Sequence, residues 1–387
     1  MSDKMRIGFI PLADASALIV AVDKGFCAAE GIEVELVREI SWANVRDKFN
    51  IGIFDAAHML APMAVASSLG IGHVKVPVVS AFGLGVNGNA ITVSPDLYAA
   101  IAAAAEGDIV APLVSARALS RVVAKRRADG REPLIFGMTF PFSSHNYHLR
   151  YWMAAGGVDP DEDVRLVVLP PPYMVESLAS KHLDGFCVGA PWNSVAIDLG
   201  IGHILHFGSE LFRRAAEKVL AVRAPWAEQN PDLLSRLVRA HGRAADFIED
   251  GGNRDEVCHI ITAPDRIEVT PELIRRTLDG RLKVSPDGTY RSTDRYLMVG
   301  RAGAARPDPV QAAWLYAQMV RWGQAPLSDA LLAAARAVFR PDLYDAAIGS
   351  AAGLPGSEPA DGIGAFAGPA FDAGDIAGYL AACKVRE

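Results

Sequence analysis

"EKVLAVRAPW" (Glu217–Trp226) and "NAITVSPDLY" (Asn89–Tyr98) share one grammar, and their placement decides the fold. In each, a polar residue opens an apolar, β-branched run, and a proline after it (Pro225, Pro95) starts a helix. Each lies at a seam between two sets of alternating strands and helices. The first set reads "RIGFIP", "GIEVELVR", "IGIFDAAHM" and "VKVPVVSAF" as strands. The helices between them are "DASALIVAVDKG", stopped at Gly25, "SWANVRDKF" with Ser41 as its cap, and "APMAVASSLG". The second set has "PLIFGMTF", "VRLVVLP" and "DGFCVGAP" as strands around the helices "SSHNYHLRYWMAAGG" and "YMVESLASKHL". The two sets have the same plan without a sequence repeat. A chain of this kind leaves its first lobe once and returns once. The expected architecture is therefore α/β with two lobes, each a mostly parallel sheet flanked by helices, joined by two crossing strands. Residues 1–88 and 219–387 form lobe 1, residues 89–218 form lobe 2, and hinge strands lie near 89–94 and 218–223. Ligands of such proteins bind where strand ends converge, so residues opening the seam strands face the cleft.

Composition narrows the function. The chain has 387 residues, 51% of them hydrophobic, enough for two lobes with real cores. A net charge of -7 and a pI near 5.8 argue against direct nucleic-acid binding. The basic run "AKRRADGR" reads as a solvated helix end. No apolar stretch is long enough to cross a membrane, and "MSDKMRIGFIPL" enters a strand directly, without the pattern of a secretory leader. Cys27, Cys187, Cys258 and Cys383 have no paired spacing and read as small hydrophobes in a reducing, cytoplasmic compartment. Beyond residue 230 the chain is mainly helical, interrupted by an Asp-Gly hairpin signal in "KVSPDGTYRS". The stretch "GLPGSEPADGIGAFAGPAFDAG" reads as either an ordered wrap or a flexible tail.

Few motifs carry chemistry. "GLGVNG" (Gly83–Gly88) matches a dinucleotide-binding turn, but its glycines lead into a strand rather than a helix, so a flexible hinge entrance fits better. His145 and His148 have helical spacing without the intervening Glu of a zinc pair. His148 shares a face with Tyr151 and Trp152 and reads as packing, whereas His145 lies in a first helical turn, where free N–H groups favour an anion. Trp42, in the first turn after Ser41, can donate an indole N–H. Lys218 opens a seam strand. Strand alternation puts Glu217 on the opposite side, so a buried Lys218 needs another anionic partner, and a bound anion would serve. No nucleophile elbow, Walker loop or catalytic carboxylate pair is present, and the chain does not read as an enzyme.

The stretches "IGFIPLADASALIVAVDKGF", "SWANVRDKFNIGIFDAAHMLAPM", "NGNAITVS", "SHNYHLRYWMAAGGVDP", "PPPYMVESL", "DGFCVGAPWN" and "EKVLAVRAPW" resemble the nitrate- and bicarbonate-binding solute receptors of ABC importers. They resemble the soluble, NasS-like nitrate sensors of that family more closely. The resemblance implies a periplasmic-binding-protein-like (type II) fold with an oxyanion in the cleft. Its nitrate contacts correspond to Trp42, Asn89, His145, Pro171, Val188, Gly189 and Lys218, with Asn89 standing where a glutamine is frequent. Bicarbonate-binding relatives have an acidic residue and a metal where Lys218 stands, so the resemblance implies nitrate or nitrite with no metal and no cofactor. It also implies a cytoplasmic sensor that controls release of a NasT-like RNA-binding antiterminator in nitrate assimilation, with no direct nucleic-acid or membrane contact. The alternatives are the receptor of a nitrate ABC importer and an enzyme of pyrimidine or menaquinone precursor synthesis on the same fold.

Overall fold

The computed structural model describes residues 3–349 and 361–383. Its strands are β1 (Asp3–Phe9), β2 (Ile32–Arg38), β3 (Ala56–Leu60), β4 (Val78–Asn87), β5 (Asn89–Val93), β6 (Ile135–Met138), β7 (Arg165–Val168), β8 (Gly185–Gly189), β9 (His203–Phe207), β10 (Ala216–Arg223), β11 (Arg281–Lys283), β12 (Tyr290–Ser292) and β13 (Leu297–Met298). They form a six-stranded sheet in the order β13-β4-β10-β3-β1-β2 and a five-stranded sheet in the order β7-β6-β8-β5-β9, with β11-β12 as a separate hairpin.

Both sheets are mixed, not mostly parallel as the alternation of elements suggests. β1 runs parallel to β2 and β3, and β6 runs parallel to β7 and β8. The two seam strands change this. β10 enters between β3 and β4 and is antiparallel to both, and β5 enters between β8 and β9 in the same manner. Each seam strand belongs to one sheet. The chain passes from one sheet to the other at Gly88 and again between Phe207 and Ala216.

The glycines of "GLGVNG" have a structural reason other than a loose entrance. Gly83 lies inside β4, where a Cβ would come within 2.6 Å of the Ala304 carbonyl oxygen. Gly88 takes the sheet-to-sheet turn at φ 93°, a left-handed conformation that glycine adopts at little cost.

Local signals are met where side-chain chemistry sets them. Ser41 Oγ accepts from Asn44 N–H and caps the helix Trp42–Asn50, and Ser143 Oγ accepts from Asn146 N–H and caps Ser144–Ala155. The expected hairpin forms, with Val284 N–H donating to the Thr289 carbonyl. One apolar core runs from Trp42 and Leu60 in the first lobe through Phe136 and Trp152 in the second to Trp314 in the helix Pro309–Arg321. That C-terminal layer also makes polar contacts with the helix Ser144–Ala155. Tyr147 Oη donates to Gln324 Oε1 at 2.8 Å, and Tyr151 Oη donates to the Ala367 carbonyl at 2.7 Å. Within the Gly/Pro-rich stretch, residues 353–360 lie outside the described residues, while Ile363 and Phe371 are buried and Arg213 and Arg214 N–H donate to Gly364 and Ile363. The described part is an ordered wrap.

Candidate functional site

Lys218 is fully buried at the junction of the two sheets. Its Nζ donates to Asp14 Oδ2 at 2.9 Å and to Glu217 Oε1 at 2.6 Å, and stands 5.5 Å from the Trp42 ring centroid. The pairing with Glu217 overturns the expectation that the two side chains point apart. Along β10 and β4, Ala216 faces Val86 and Lys218 faces Gly85, which leaves Glu217 as an unpaired extra residue. Such a bulge breaks side-chain alternation, so two successive residues can reach the same site. The next step, Val219 against Gly83, skips Leu84 on β4 and brings the register back.

Glu217 then collects donors from the second lobe. Asn89 Nδ2 donates to its Oε2 at 2.7 Å, Ser144 Oγ donates to the same oxygen, and His145 Nε2 lies 2.8 Å from Oε1. Ser144 and His145 are in the first turn of their helix, where backbone N–H groups favour negative charge. Further contacts orient these groups. Thr139 Oγ1 and His145 Nδ1 are 2.8 Å apart, and His148 Nδ1 donates to Asn89 Oδ1 at 3.0 Å. His58 Nδ1 accepts from Ile10 N–H at 3.4 Å, which leaves Nε2 as the donor to Asp14 Oδ1 at 2.9 Å.

The charges hold one another in their ionised forms. Burial alone would raise both carboxyls. The His145 imidazole and the Lys218 ammonium outweigh it for Glu217, and Lys218 with His58 outweighs it for Asp14, so both carboxyls lie below the usual carboxylate range. Burial likewise works against the Lys218 ammonium, but Asp14 and Glu217 hold its pKa above the ordinary lysine value. Burial pushes His148 down to about 3, which keeps that ring neutral.

Of the seven residues that the sequence singles out, the structure brings Trp42, Asn89, His145, Gly189 and Lys218 together. Trp42 Nε1 is a buried donor with no hydrogen-bond partner among the described residues. Gly189 lies against the cluster, and a Cβ there would stand 3.5 Å from Asp14 Oδ2. Val188, next to it in β8, packs with Met174 and Phe186, and its carbonyl accepts from Asn193 Nδ2 at 2.8 Å. Pro171 is buried in the turn before the helix Tyr173–Ala179, where its carbonyl accepts from Met174 N–H. His148 does pack, as expected, with its ring 4.8 Å from that of Phe212, but it also holds Asn89. Sequence reasoning missed Asp14, His58 and Ser144 and misplaced Glu217. "PLADAS" carries the one available signal for Asp14, an acid among small and apolar residues directly after a strand. A cavity of about 940 Å³ lies elsewhere, lined within the second lobe by Arg121, Lys125, Arg126 and Lys181 above Leu134 and Leu183.

Two mixed sheets, the second continuous in sequence from β5 to β9 and the first completed by β10 after it, meet at a buried polar cluster and define a periplasmic-binding-protein-like fold. Comparison with known proteins is consistent with this class. Residues 2–262 match the NMT1-like family, and the chain belongs to that family. It is 30% identical over 393 aligned positions to the nitrate/nitrite binding protein NrtA of Synechococcus elongatus, covering 99% of this chain and 86% of the relative. It is 35% identical over 324 positions to the bicarbonate transport ATP-binding protein CmpC of the same species, covering 83% of this chain and 46% of that longer relative. Among solved structures, the periplasmic nitrate-binding protein NrtA from Synechocystis PCC 6803 superposes with a TM-score of 0.88 at 28% identity, covering 99% of both chains. The two NrtA proteins are named as binding proteins, not as enzymes.

Proposed function

We propose that this protein binds nitrate or nitrite between its lobes and serves as the solute-binding receptor of an ABC-type importer. The observation that carries the reading is Lys218, an ammonium with no solvent exposure at the lobe junction, beside an indole N–H without a partner among the described residues and a helix N-terminus. A planar, weakly basic monoanion competes poorly for water, so a dry site with a fixed cation and indole, amide and imidazole donors suits it, once the anion has displaced a carboxylate that Lys218 now holds. At an effective dielectric near 20, one charge at about 4 Å contributes roughly 4 kcal/mol before desolvation. Trp42, Asn89, His145, Gly189 and Lys218 are the proposed contacts; Val188 packs with Met174 and Phe186, and Pro171 lies in the turn before the helix Tyr173–Ala179, so neither is proposed as a contact. The moving bodies would be the two sheets with their helices, turning about Gly88 and the link between β9 and β10; the return to the first lobe comes before Ala216, earlier than the boundary expected at 218, so Glu217 and Lys218 belong to the first lobe. The names of the relatives support a receptor working with transporter subunits over a cytoplasmic sensor that releases a NasT-like antiterminator, although both readings use the same anion site.

Calorimetric titration with nitrate, nitrite, bicarbonate and sulfate tests the reading. Saturable binding of nitrate or nitrite at one site per chain is expected, with no response to sulfate. Binding of none of them by the folded protein would defeat the proposal.

A further inference from the structure

Lys218 already has two carboxylate partners, and this shapes how an anion can enter. We propose that the Glu217 carboxylate is an internal stand-in for the anion: a bound oxyanion takes over its donors, and Glu217 takes up a proton from solvent as it yields them. The inference rests on the function proposed above and deepens it.

The match is geometric. A carboxylate is a planar monoanion whose two oxygens are spaced like two of the oxygens of nitrate or the pair in nitrite. One oxygen of Glu217 faces Lys218 Nζ at 2.6 Å and His145 Nε2 at 2.8 Å, and the other accepts from Asn89 Nδ2 at 2.7 Å and from Ser144 Oγ. Lys218, His145 and Asn89 are also the groups proposed to hold the ligand. They cannot serve two anions at once at these distances. The bulge at Glu217 is what puts a chain carboxylate on these donors, since regular pairing would send it to the other face.

Charge balance supplies the proton. The groups around Glu217 are Lys218 on its own strand, His145 and His148 on the helix Ser144–Ala155, Asp14 after β1, His58 on β3, Cys187 on β8, and Tyr296 just before β13. Asp14 keeps its own ties to Lys218 and His58. An anion entering this dry space would leave Glu217 as an unpaired, fully buried charge, and such a group neutralises instead. Uptake of one proton with one monoanion leaves the charge of the site unchanged, with no bond made or broken other than the carboxyl O–H.

Nitrate titrations in two buffers of different ionisation enthalpy, repeated from pH 6.5 to 8.5, count that proton. The wild-type protein is expected to take up about one proton per nitrate, with affinity falling about tenfold per pH unit. Glu217→Gln keeps the side-chain shape without the charge. It is expected to bind nitrate without proton uptake, with a flat pH profile and at least tenfold more tightly than wild type at pH 8.5. Wild-type binding without proton uptake overturns the inference, as does a variant that binds more weakly or still takes up a proton, because His58, His145 or His148 would then be the acceptor. If neither folded protein binds nitrate or nitrite, the proposed function falls and this inference with it. If the variant does not fold, the infrared difference spectrum of the wild-type protein decides: nitrate should bring up the band of a protonated carboxyl, and proton uptake without that band overturns the inference by making a histidine the acceptor.

Discussion

The lobe junction and the cavity of the second lobe are both rich in charge, yet they differ in every property that matters for recognition. The cavity offers about 940 Å³ and several cations, but its charges are paired locally at the surface, as in Lys125 with Asp129 at 2.8 Å and Lys181 with Asp96 at 3.4 Å. Exposed pairs of this kind contribute at most about 1 kcal/mol and hold little in place. At the junction, Lys218, Glu217 and Asp14 are buried and held by neighbours from both lobes. There, each charge depends on the others to remain ionised. The lesson is that the junction couples its charges to one another across the lobes, whereas the cavity's charges are paired locally.

The largest effect expected from testing this contrast comes from Lys218→Met, which leaves Asp14 and Glu217 without their cation. Breaking a buried pair typically costs about 3–5 kcal/mol. Urea unfolding should register a loss of that order, with any response to nitrate abolished. Adding Glu217→Gln to that variant removes one orphaned carboxylate and should recover part of the stability. A double variant no more stable than the single one would show that the two side chains are not coupled.

Acid provides the next test. His58, His148, His206 and His241 are buried, and burial lowers each of them, His148 to about 3 and His241 to about 4. A base whose folded pKa lies below its unfolded value near 6.5 binds more protons when unfolded, so its contribution is complete above about 6.5 and is lost as pH falls. Each such histidine contributes up to about 1.4 kcal/mol per pH unit to the slope. Glu217 and Asp14, whose carboxyls are depressed in the fold, add to the loss below about pH 4.5. Urea midpoints should therefore drop between pH 7.5 and pH 5, and equal midpoints at the two values would refute this account. The smallest effect belongs to the cavity. Lys125→Ala and Arg126→Ala should shift stability by no more than about 0.5 kcal/mol and leave nitrate titrations unchanged. A loss of nitrate binding in either would move the site there.

Much of this was legible in the sequence, for identifiable reasons. Helix caps at Ser41 and Ser143, the break at Gly25 and the hairpin at "SPDGTY" follow from side chains acting on their own backbone, which is local information. The two seam strands were legible from their shared grammar, but their antiparallel entry into the middle of each sheet depends on partners far along the chain. The site was partly legible. Lys218, His145 and Trp42 stand at element starts, where function concentrates, and the resemblance to anion receptors pointed to Asn89 and Gly189. Asp14 was not legible, because what brings it to Lys218 is a contact across 204 positions. Glu217 was misplaced because alternation is a rule for regular strands, and an extra residue is invisible until both strands of the ladder are known.

The extra residue on β10 is offset by Leu84 on β4, flanked by Gly83 and Gly85. Omitting Glu217 and Leu84 together would leave Ala216 opposite Val86, Lys218 opposite Gly85 and Val219 opposite Gly83, a ladder without a step at this point. The acidic side chain beside the ammonium is thus an insertion in the ladder: a matched pair of deletions would take the carboxylate away from Lys218 and keep the neighbouring rungs opposed, at the cost of the buried Leu84 side chain.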